Sequence, residues 1–500
     1  MNKKRLISIL LLAGIAASAL TGCGEGTTDT QVTTGGQDDT TAVSEDSPYD
    51  AKGFLNDDLP SDLNFNGKTV SIYVRGDTLN QYDAEQSGDI VDDAIYERNR
   101  KIEERLNVKL NIFSNTSADF WNDRDLYMDT VRGCVLSNDG SIDIAAGLSN
   151  IMPVLVKDGM FHNLLSSDIK YLDFDKPWWP DKLVSEMSIG DKMHIVSGDA
   201  DLGVIKYMCG IFFNKNIITD FQLEDPYELV LSGKWTLDKL AEMTSGVYSD
   251  LNSDGTRDAG DRYGFIVDNE NHAPMFILSS GMNFTKRDSD GLPVYDLGTE
   301  KIFDLFDKVE ALMESEDTIT NNADAPKAIV CPNTFSDGNA LFTTGEFCYA
   351  EKYRDVNFDY GILPFPKYDE NQSNYYGGVR ATYSMFGIPV TADTDAATAV
   401  LEALASENYR SVVPVYYESA LKVKYARDDT SSQMFDIIRN GVDFDLGIVL
   451  GPLMGDGITT DVRFELCYSY GTWASSWTTK ERKVNTALRN YVDAVLALED

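Results

Sequence analysis

A twelve-residue stretch carries oxygen-bearing side chains at the intervals that a cation-binding loop requires. Its first, third, fifth, ninth and twelfth positions are acidic or amide residues and its sixth is glycine, namely Asp250, Asn252, Asp254, Asp258, Asp261 and Gly255. This spacing arranges hard oxygen ligands around Ca2+, with Thr256 offering its backbone carbonyl and Asp258 acting through a water. Asp261 is shorter than the glutamate usual at the last position. We predict a structural Ca2+ ion in this loop.

The same composition also suits an acidic surface turn, because Asp, Asn and Gly favour turns without any metal. Five matching positions in one register favour the metal-binding interpretation. A loop of this kind fixes its surroundings and does not imply catalysis.

Residue patterns that would support catalysis are missing from the sequence. Its three histidines, His162, His194 and His272, are widely separated, with no His-Glu-x-x-His motif and no Cys/His cluster. No Gly-x-Ser-x-Gly elbow, Walker loop or Gly-x-Gly-x-x-Gly turn is present. Among 81 acidic residues no particular pair stands out as the carboxylates of a glycoside hydrolase. We expect a protein that is not an enzyme.

The N-terminus has the pattern of a bacterial lipoprotein export signal over residues 1–22. Lys3, Lys4 and Arg5 precede an apolar run that ends in Leu20-Thr-Gly-Cys23, which resembles a lipobox. The run is too short for a spanning helix, so we interpret it as a cleaved signal. Cys23 would then receive acyl chains, palmitate among them, and anchor the protein to the extracellular face of the bacterial cell membrane.

The charge of the chain argues against nucleic acid as a partner. The formal net charge is −38, and phosphate backbones repel a body of that sign. A polar segment with few large apolar residues, 23–62, cannot offset the entropy of ordering, so we predict a disordered tether there.

Regular elements are predicted from about Lys68 onward. Thr69–Val74 and Val108–Ile112 alternate with the period of half-buried strands, and Ile90–Leu106 has helical spacing. Strand, helix, strand opens an α/β domain. About 440 ordered residues exceed one typical domain, so two lobes are expected.

Five pieces of the chain together resemble a known family. They are Asp92–Asn99, Asp175–Trp179, Ile211–Lys215, Gly361–Tyr368, and the run from Val400 to Arg427. In order and spacing they are similar to the extracellular solute-binding lipoproteins of carbohydrate ABC transporters, the maltose-binding-protein-like family. The resemblance covers nearly the whole chain after the tether.

This resemblance implies a two-lobed periplasmic-binding-protein-like α/β fold with hinge crossings and a helical C-terminal portion. Lobe I would comprise residues 63–200 and 366–410, and lobe II residues 201–365 and 411–500. The protein would act as a monomer that captures a small-molecule carbohydrate, an oligosaccharide above all, and presents it to permease subunits. The alternatives are a surface glycan-degrading lipoprotein enzyme and a binding protein for a non-sugar solute.

Sugar sites combine aromatic platforms with a few oriented polar groups. By type and by place in the implied fold, the ligand-binding candidates are Trp178, Trp179, Asp199, Asp201, Tyr375, Tyr376, Arg380, Trp473 and Trp477. Each has a structural alternative. The first two tryptophans could fill the core, the last two could share a packed helix face, the two aspartates could form turns, and Arg380 could pair with a carboxylate.

Overall fold

The computed structural model describes residues 47–321, 328–425, 428–451, 457–469 and 471–499. The predicted signal, Cys23 and most of the predicted tether lie outside the described residues. Contacts divide the chain into Met1–Gly53 and Phe54–Asp500. In the first unit the described part ends in a turn, where the Gly53 N–H donates to the Asp50 carbonyl at 3.0 Å. All of the named strands and helices of the described residues belong to the second unit.

The folded body begins earlier than the predicted end of the tether at residue 62. Asp57 is buried, and Arg105 and Ser406 donate to its carboxylate. Burial raises the pKa of Asp57, but the bonds and charges of Arg105 and Arg410 lower it to about 2. Leu59 is buried as well, and Phe54 packs edge-on against Tyr409. These apolar residues follow no strand or helix period, so no periodic pattern marks the segment in the sequence.

Eleven strands lie within the described residues. They are β1 (Lys68–Val74), β2 (Val108–Phe113), β3 (Ile144–Leu148), β4 (Cys209–Asn214), β5 (Tyr263–Val267), β6 (Thr285–Arg287), β7 (Pro293–Tyr295), β8 (Thr318–Thr320), β9 (Ala340–Glu346), β10 (Tyr360–Leu363) and β11 (Ser384–Gly387).

Helices connect and cover these strands. The α-helices are Ile90–Leu106, Phe120–Ser137, Met152–Lys157, Asp181–Met187, Gly203–Lys206, Lys215–Asp220, Pro226–Leu231, Leu237–Thr244, Met275–Ser279, Glu300–Glu314, Cys331–Ser336, Tyr349–Tyr353, Thr394–Glu407, Asp429–Asn440, Leu446–Leu450, Ile458–Tyr468 and Trp473–Leu496. Gly76–Gln81 is 3-10 helical, and Asn408–Val412 and Val415–Tyr425 are π-helical. No described helix is both long and apolar enough to cross a membrane.

The first sheet has the order β11-β3-β1-β2, with β1 parallel to β2 and β3, and β11 antiparallel to β3. Helix Ile90–Leu106 links β1 to β2. It begins where the Asp89 carboxylate accepts from the Val91 N–H at 2.9 Å, and it ends at Asn107, whose φ is +48°. This sheet and the helices packed on it form the first lobe.

The second sheet has the order β10-β4-β9-β5-β8. β5 runs parallel to β8 and β9, whereas β4 is antiparallel to both of its neighbours. All six residues of β4 are buried, which explains why its sequence is an apolar run without alternation. This sheet and the β6–β7 hairpin belong to the second lobe.

Two extended segments cross side by side from one lobe to the other. The Cys209 N–H donates to the Gly378 carbonyl at 3.0 Å, and the Arg380 N–H donates to the Tyr207 carbonyl at 2.9 Å. A third crossing is made by the π-helical segments that continue helix Thr394–Glu407. They contact helix Ile90–Leu106 of the first lobe and helix Asp429–Asn440 of the second. Paired crossings of this kind can act as a hinge because a few backbone angles absorb the movement.

The C-terminal helix Trp473–Leu496 contacts both lobes. It packs against β7 in the second lobe and against helix Met152–Lys157 in the first. The Lys192 ammonium of the first lobe also donates to the Leu498 carbonyl just beyond this helix. The family resemblance implies that this portion lies with the second lobe alone; the apolar face that carries Tyr491 and Val495 is buried against residues of the first lobe as well.

Candidate ligand-binding cleft

A cavity of about 530 Å³ lies between the lobes, at the carboxyl ends of parallel strands from both sheets. Asp77 follows β1, Trp121 follows β2, Asn150 follows β3, and Glu270 and Asn271 follow β5. Ligands of open α/β sheets bind outside the carboxyl ends of the strands. The volume falls within the range of small-molecule sites, about 300–1,000 Å³.

An exposed tryptophan forms one wall of the cavity. Trp121 is 56% exposed although it stands beside the buried Phe120 at the start of helix Phe120–Ser137. The Arg124 guanidinium lies 4.8 Å from the centre of its ring, so one face of the indole is held while the side chain stays open to the cavity. An exposed indole beside a cavity is a candidate surface for a ligand that stacks on aromatic rings.

Arg380 lines the cavity as part of a charge network whose other members, Glu346 and His272, are buried. Its Nη1 lies 3.1 Å from Glu346 Oε1, and His272 Nε2 lies 3.1 Å from the same oxygen. Burial raises the pKa of Glu346, but Arg380 and His272 together hold that pKa below its usual range. Burial lowers the pKa of His272, whereas Cys209 and Glu346 raise it to about 10. An ordered set of paired charges therefore holds Arg380 at the cavity.

Three buried polar atoms around the cavity have no hydrogen-bond partner among the described residues. They are Arg380 Nε, Asn150 Oδ1 and Thr382 Oγ1. A buried donor or acceptor without a partner costs about 1–3 kcal/mol. A ligand or water that reached these three atoms would be stabilised by hydrogen bonds that the described residues leave unmade.

The predicted tryptophan pair lies in the core of the first lobe. Trp178 and Trp179 have no exposed surface, and their indole nitrogens donate to the two carboxylate oxygens of Glu402 at 3.0 and 2.9 Å. Burial raises the pKa of Glu402 to about 8 against the effect of these bonds. Neither indole can contact a ligand in this structure, so the structural alternative describes them.

The predicted aspartates do not line the cavity. Asp201 is buried and accepts from the Tyr82 hydroxyl at 2.6 Å and the Gly203 N–H at 2.8 Å. Asp199 follows the Trp178 loop, and burial raises its pKa to about 7 although Arg439 lowers it. Asp201 thus anchors the start of the first crossing segment.

The remaining aromatic candidates also lie away from the cavity. The Tyr375 hydroxyl donates to the Val230 carbonyl at 3.1 Å, and the Tyr376 ring packs over Gly281. Trp473 and Trp477 are buried, and the Trp473 indole stacks on Phe306 with 4.8 Å between ring centres. Of the nine predicted ligand-binding residues the structure brings only Arg380 to the cavity.

Sequence reasoning missed Trp121, Asn150 and Thr382. Asn150 follows a short buried strand and Thr382 precedes one. Their position at strand ends is a signal that the sequence contains. Trp121 follows Phe120 at the start of an amphipathic helix, and nothing in the sequence indicates which of the two rings is exposed.

The predicted cation loop, residues 250–261, joins helix Leu237–Thr244 to the start of β5. It therefore lies at the amino end of β5, whereas the cavity lies at the carboxyl end. Among the described residues no group of three or more His, Cys, Asp or Glu side chains is already arranged to hold a metal ion.

Two α/β lobes, paired crossings and a cavity between the lobes define the periplasmic-binding-protein-like fold, and this chain has that fold, as predicted. No protein-family model matches the chain, and no curated protein sequence matches it.

Solved structures with this fold include sugar-binding proteins. An ABC substrate-binding protein of Listeria monocytogenes in complex with cycloalternan is 11% identical, with a TM-score of 0.51 over 86% of this chain and 98% of that one. UspC of M. tuberculosis is 13% identical, with a TM-score of 0.54 over 84% and 100%. The maltose/maltodextrin-binding domain MalE of Bdellovibrio bacteriovorus, bound to maltotriose, is 14% identical, with a TM-score of 0.51 over 85% and 100%.

Proposed function

We propose that this protein is the substrate-binding component of an ABC import system and captures an oligosaccharide in the cavity between its lobes. The observation that carries the proposal is the combination in one cavity of an exposed indole and three buried polar atoms without partners among the described residues. The fold is the one in which proteins bound to cycloalternan and maltotriose have been solved.

The cavity offers what a sugar needs. The C–H face of a pyranose stacks on an indole, and Trp121 provides one. Hydroxyl groups both donate and accept hydrogen bonds, which suits the donor Arg380 Nε, the acceptor Asn150 Oδ1 and the hydroxyl of Thr382. A ligand that satisfies these atoms gains more than it would at a surface, because each atom is otherwise buried and unpaired.

The charges around the cavity favour neutral over acidic sugars. Of the acidic residues that line it, Asp77 pairs with Arg75 and Glu270 with Arg463, whereas Asp119 forms no ion pair among the described residues. Arg380, the one basic residue of the lining among the described residues, already pairs with Glu346. A carboxylate-bearing sugar would therefore find no uncompensated cation there, which disfavours acidic ligands.

Capture would couple to transport through closure of the lobes. A ligand that contacts both Trp121 of the first lobe and Asn271 of the second stabilises the closed arrangement, because it binds that arrangement more tightly. The paired segments at Tyr207–Cys209 and Gly378–Arg380 supply the hinge. The closed form is then the one presented to permease subunits.

The predicted lipid on Cys23 would retain this monomeric receptor at the extracellular face of the cell membrane. Two or more acyl chains give stable attachment, whereas a single chain gives only marginal binding. Globomycin-sensitive processing and loss of membrane association in Cys23→Ser cells test this part of the proposal; processing and membrane association that persist in that variant contradict it.

Isothermal titration of the lipid-free protein with neutral and uronate-containing oligosaccharides tests the function. We expect binding of at least one neutral oligosaccharide without turnover, and a loss of affinity of about tenfold or more in Trp121→Ala, equivalent to about 1.4 kcal/mol. Leu136→Ala is the matched control, because Leu136 is exposed on the same helix and does not line the cavity.

Three results would contradict the proposal. Shorter saccharides released from the ligand would support the enzyme alternative. A thermal-shift response to peptides or other non-sugar solutes alone would support a different ligand class. Unchanged affinity in Trp121→Ala would remove the cavity from the binding site.

A further inference from the structure

The loop at residues 250–261 (the Asp250–Asp261 loop) lies on the edge of the second sheet that faces away from the cavity. β5, β8 and β9 are parallel, so their amino ends meet at this edge. Asp317, just before β8, accepts from the N–H groups of Gly246 and Tyr248 at 2.8 and 2.7 Å, and Asn339, just before β9, donates to the Ala259 carbonyl at 2.9 Å. The segment that leads into the loop is thus tied to the start of β8, and the loop itself to the start of β9.

Two carboxylate oxygens of the loop are buried without a partner among the described residues. Asp261 is 0% exposed; its Oδ2 accepts from the Asp258 N–H at 3.3 Å and the Tyr248 hydroxyl at 3.4 Å, but its Oδ1 has no hydrogen bond. Asp250 Oδ1 is also buried and unbonded. Neither carboxylate forms an ion pair with any described residue. A buried carboxylate is costly unless a cation or donors compensate it.

The one basic residue of the loop does not supply this compensation. The Arg257 guanidinium donates to the carbonyls of Glu316 and Thr318, both at 2.9 Å, and lies over the rings of Tyr248 and Tyr263. No cationic side chain among the described residues pairs with Asp250 or Asp261.

The backbone of the loop turns back on its first carboxylate. Gly255 has a φ of +72°, which favours glycine at the sixth position, and its N–H donates to Asp250 Oδ2 at 3.0 Å. The side chains of Asn252 and Asp258 both lie close to Gly260. Asn252 and Asp254 remain exposed, whereas Asp258 and Asp261 are buried.

We propose that the Asp250–Asp261 loop binds one Ca2+ ion, a metal site separate from the ligand cavity. Asp250, Asn252, Asp254 and Asp261 would supply side-chain oxygens, Thr256 its carbonyl, and Asp258 a water-mediated contact. All are hard oxygen ligands, and a flexible set of this kind suits Ca2+ better than Mg2+, which demands near-ideal octahedral geometry.

The carboxylates of the loop are not grouped as a metal site among the described residues. Calcium binding would therefore have to draw them together. Part of the binding free energy is therefore used to order the loop, and the remainder stabilises the amino edge of the second sheet. A cation that binds the folded chain alone raises the apparent stability by mass action. Affinity for sugar is unaffected, because the loop and the cavity lie at opposite ends of β5.

Calcium-dependent unfolding and terbium luminescence test the site on the whole lipid-free protein. We expect CaCl2 to raise Tm relative to EDTA, and Tb3+ to give luminescence sensitised by Tyr248 and Tyr263 that Ca2+ displaces and Mg2+ does not. Asp254→Asn, at an exposed position, should weaken Ca2+ binding by about tenfold or more. Asp290→Asn is the control, because it removes the same charge from another exposed turn of the second lobe.

The outcomes separate this site from the proposed transport function. Unchanged Tm at millimolar CaCl2 together with absent terbium luminescence overturns the calcium site, as does an Asp254→Asn protein that binds Ca2+ like the unmodified chain. Asp250→Ala is a second variant at a partly exposed position, so the conclusion does not depend on one substitution. Sugar binding measured in EDTA should persist, and its failure would count against the separation of the two sites.

Discussion

The first lobe contains two tryptophan regions, one around Trp178 and Trp179 and one around Trp121. They differ in whether the polar groups near the indole all have hydrogen-bond partners. At Trp178 and Trp179 both indole N–H groups are bonded to Glu402, and no surface is exposed. At Trp121 the ring is open to a cavity in which Asn150 Oδ1 and Thr382 Oγ1 have no partners among the described residues. The Trp178 region stabilises the fold, whereas the Trp121 region is where we propose that the ligand binds.

Removing an indole from the Trp178 region should have the largest effect on stability. Trp178→Ala leaves a cavity in the core and one oxygen of Glu402 without its donor. We expect a loss of about 3–5 kcal/mol in the free energy of unfolding, measured by urea denaturation.

The matched comparison is Trp121→Ala, which should lower the free energy of unfolding by much less, because that indole is already exposed. Similar losses in the two variants would end the distinction between the regions. Protein that remains folded after Trp178→Ala should bind ligand with unchanged Kd.

The pH dependence of stability should report the Glu402 carboxyl. Its pKa rises from 4.5 to about 8 on folding, chiefly through burial. Folding therefore favours the protonated form, so this contribution is complete below the unfolded-state pKa and is lost as pH rises through about 8. One such group gives a slope of at most about 1.4 kcal/mol per pH unit.

Glu402→Gln should flatten this part of the profile, because the amide does not titrate. Urea unfolding of both proteins between pH 4.5 and pH 8 measures the effect. Asp199 and Asp445 also have raised pKa values, but they are present in both proteins, so the difference between the two profiles reports Glu402. Parallel profiles would show that the carboxyl has an ordinary pKa in the folded chain.

The elements with strong local periodicity could be predicted from the sequence, and the site largely could not. The helix predicted at Ile90–Leu106 has those bounds in the structure, and the strand predicted at Thr69–Val74 is one residue longer. Both follow from alternation or capping within a few neighbouring residues.

The cavity depends on segments far apart in the chain. Trp121 and Arg380 are 259 positions apart in the sequence, yet both line it. Residue type and place in the implied fold suggested Trp178, but Glu402, which accepts its indole hydrogen bond, lies 224 positions further along the chain. Exposure is decided by such distant packing, which a single sequence does not display.

The smallest expected effect on stability comes from a substitution in the Trp121 region. Thr382→Val keeps the shape of the side chain and removes a buried hydroxyl oxygen that has no partner among the described residues. Replacing an unsatisfied polar atom by an apolar group of the same shape is neutral or stabilising by up to about 1 kcal/mol. Sugar binding should weaken in the same variant, because the hydroxyl that the ligand would pair with is gone. Stability and affinity would therefore change in opposite directions, measured by urea unfolding and calorimetry on one protein. If stability and affinity both fall, the Thr382 hydroxyl stabilises the fold. The Trp121 region would then be like the Trp178 region, whose polar groups already have partners.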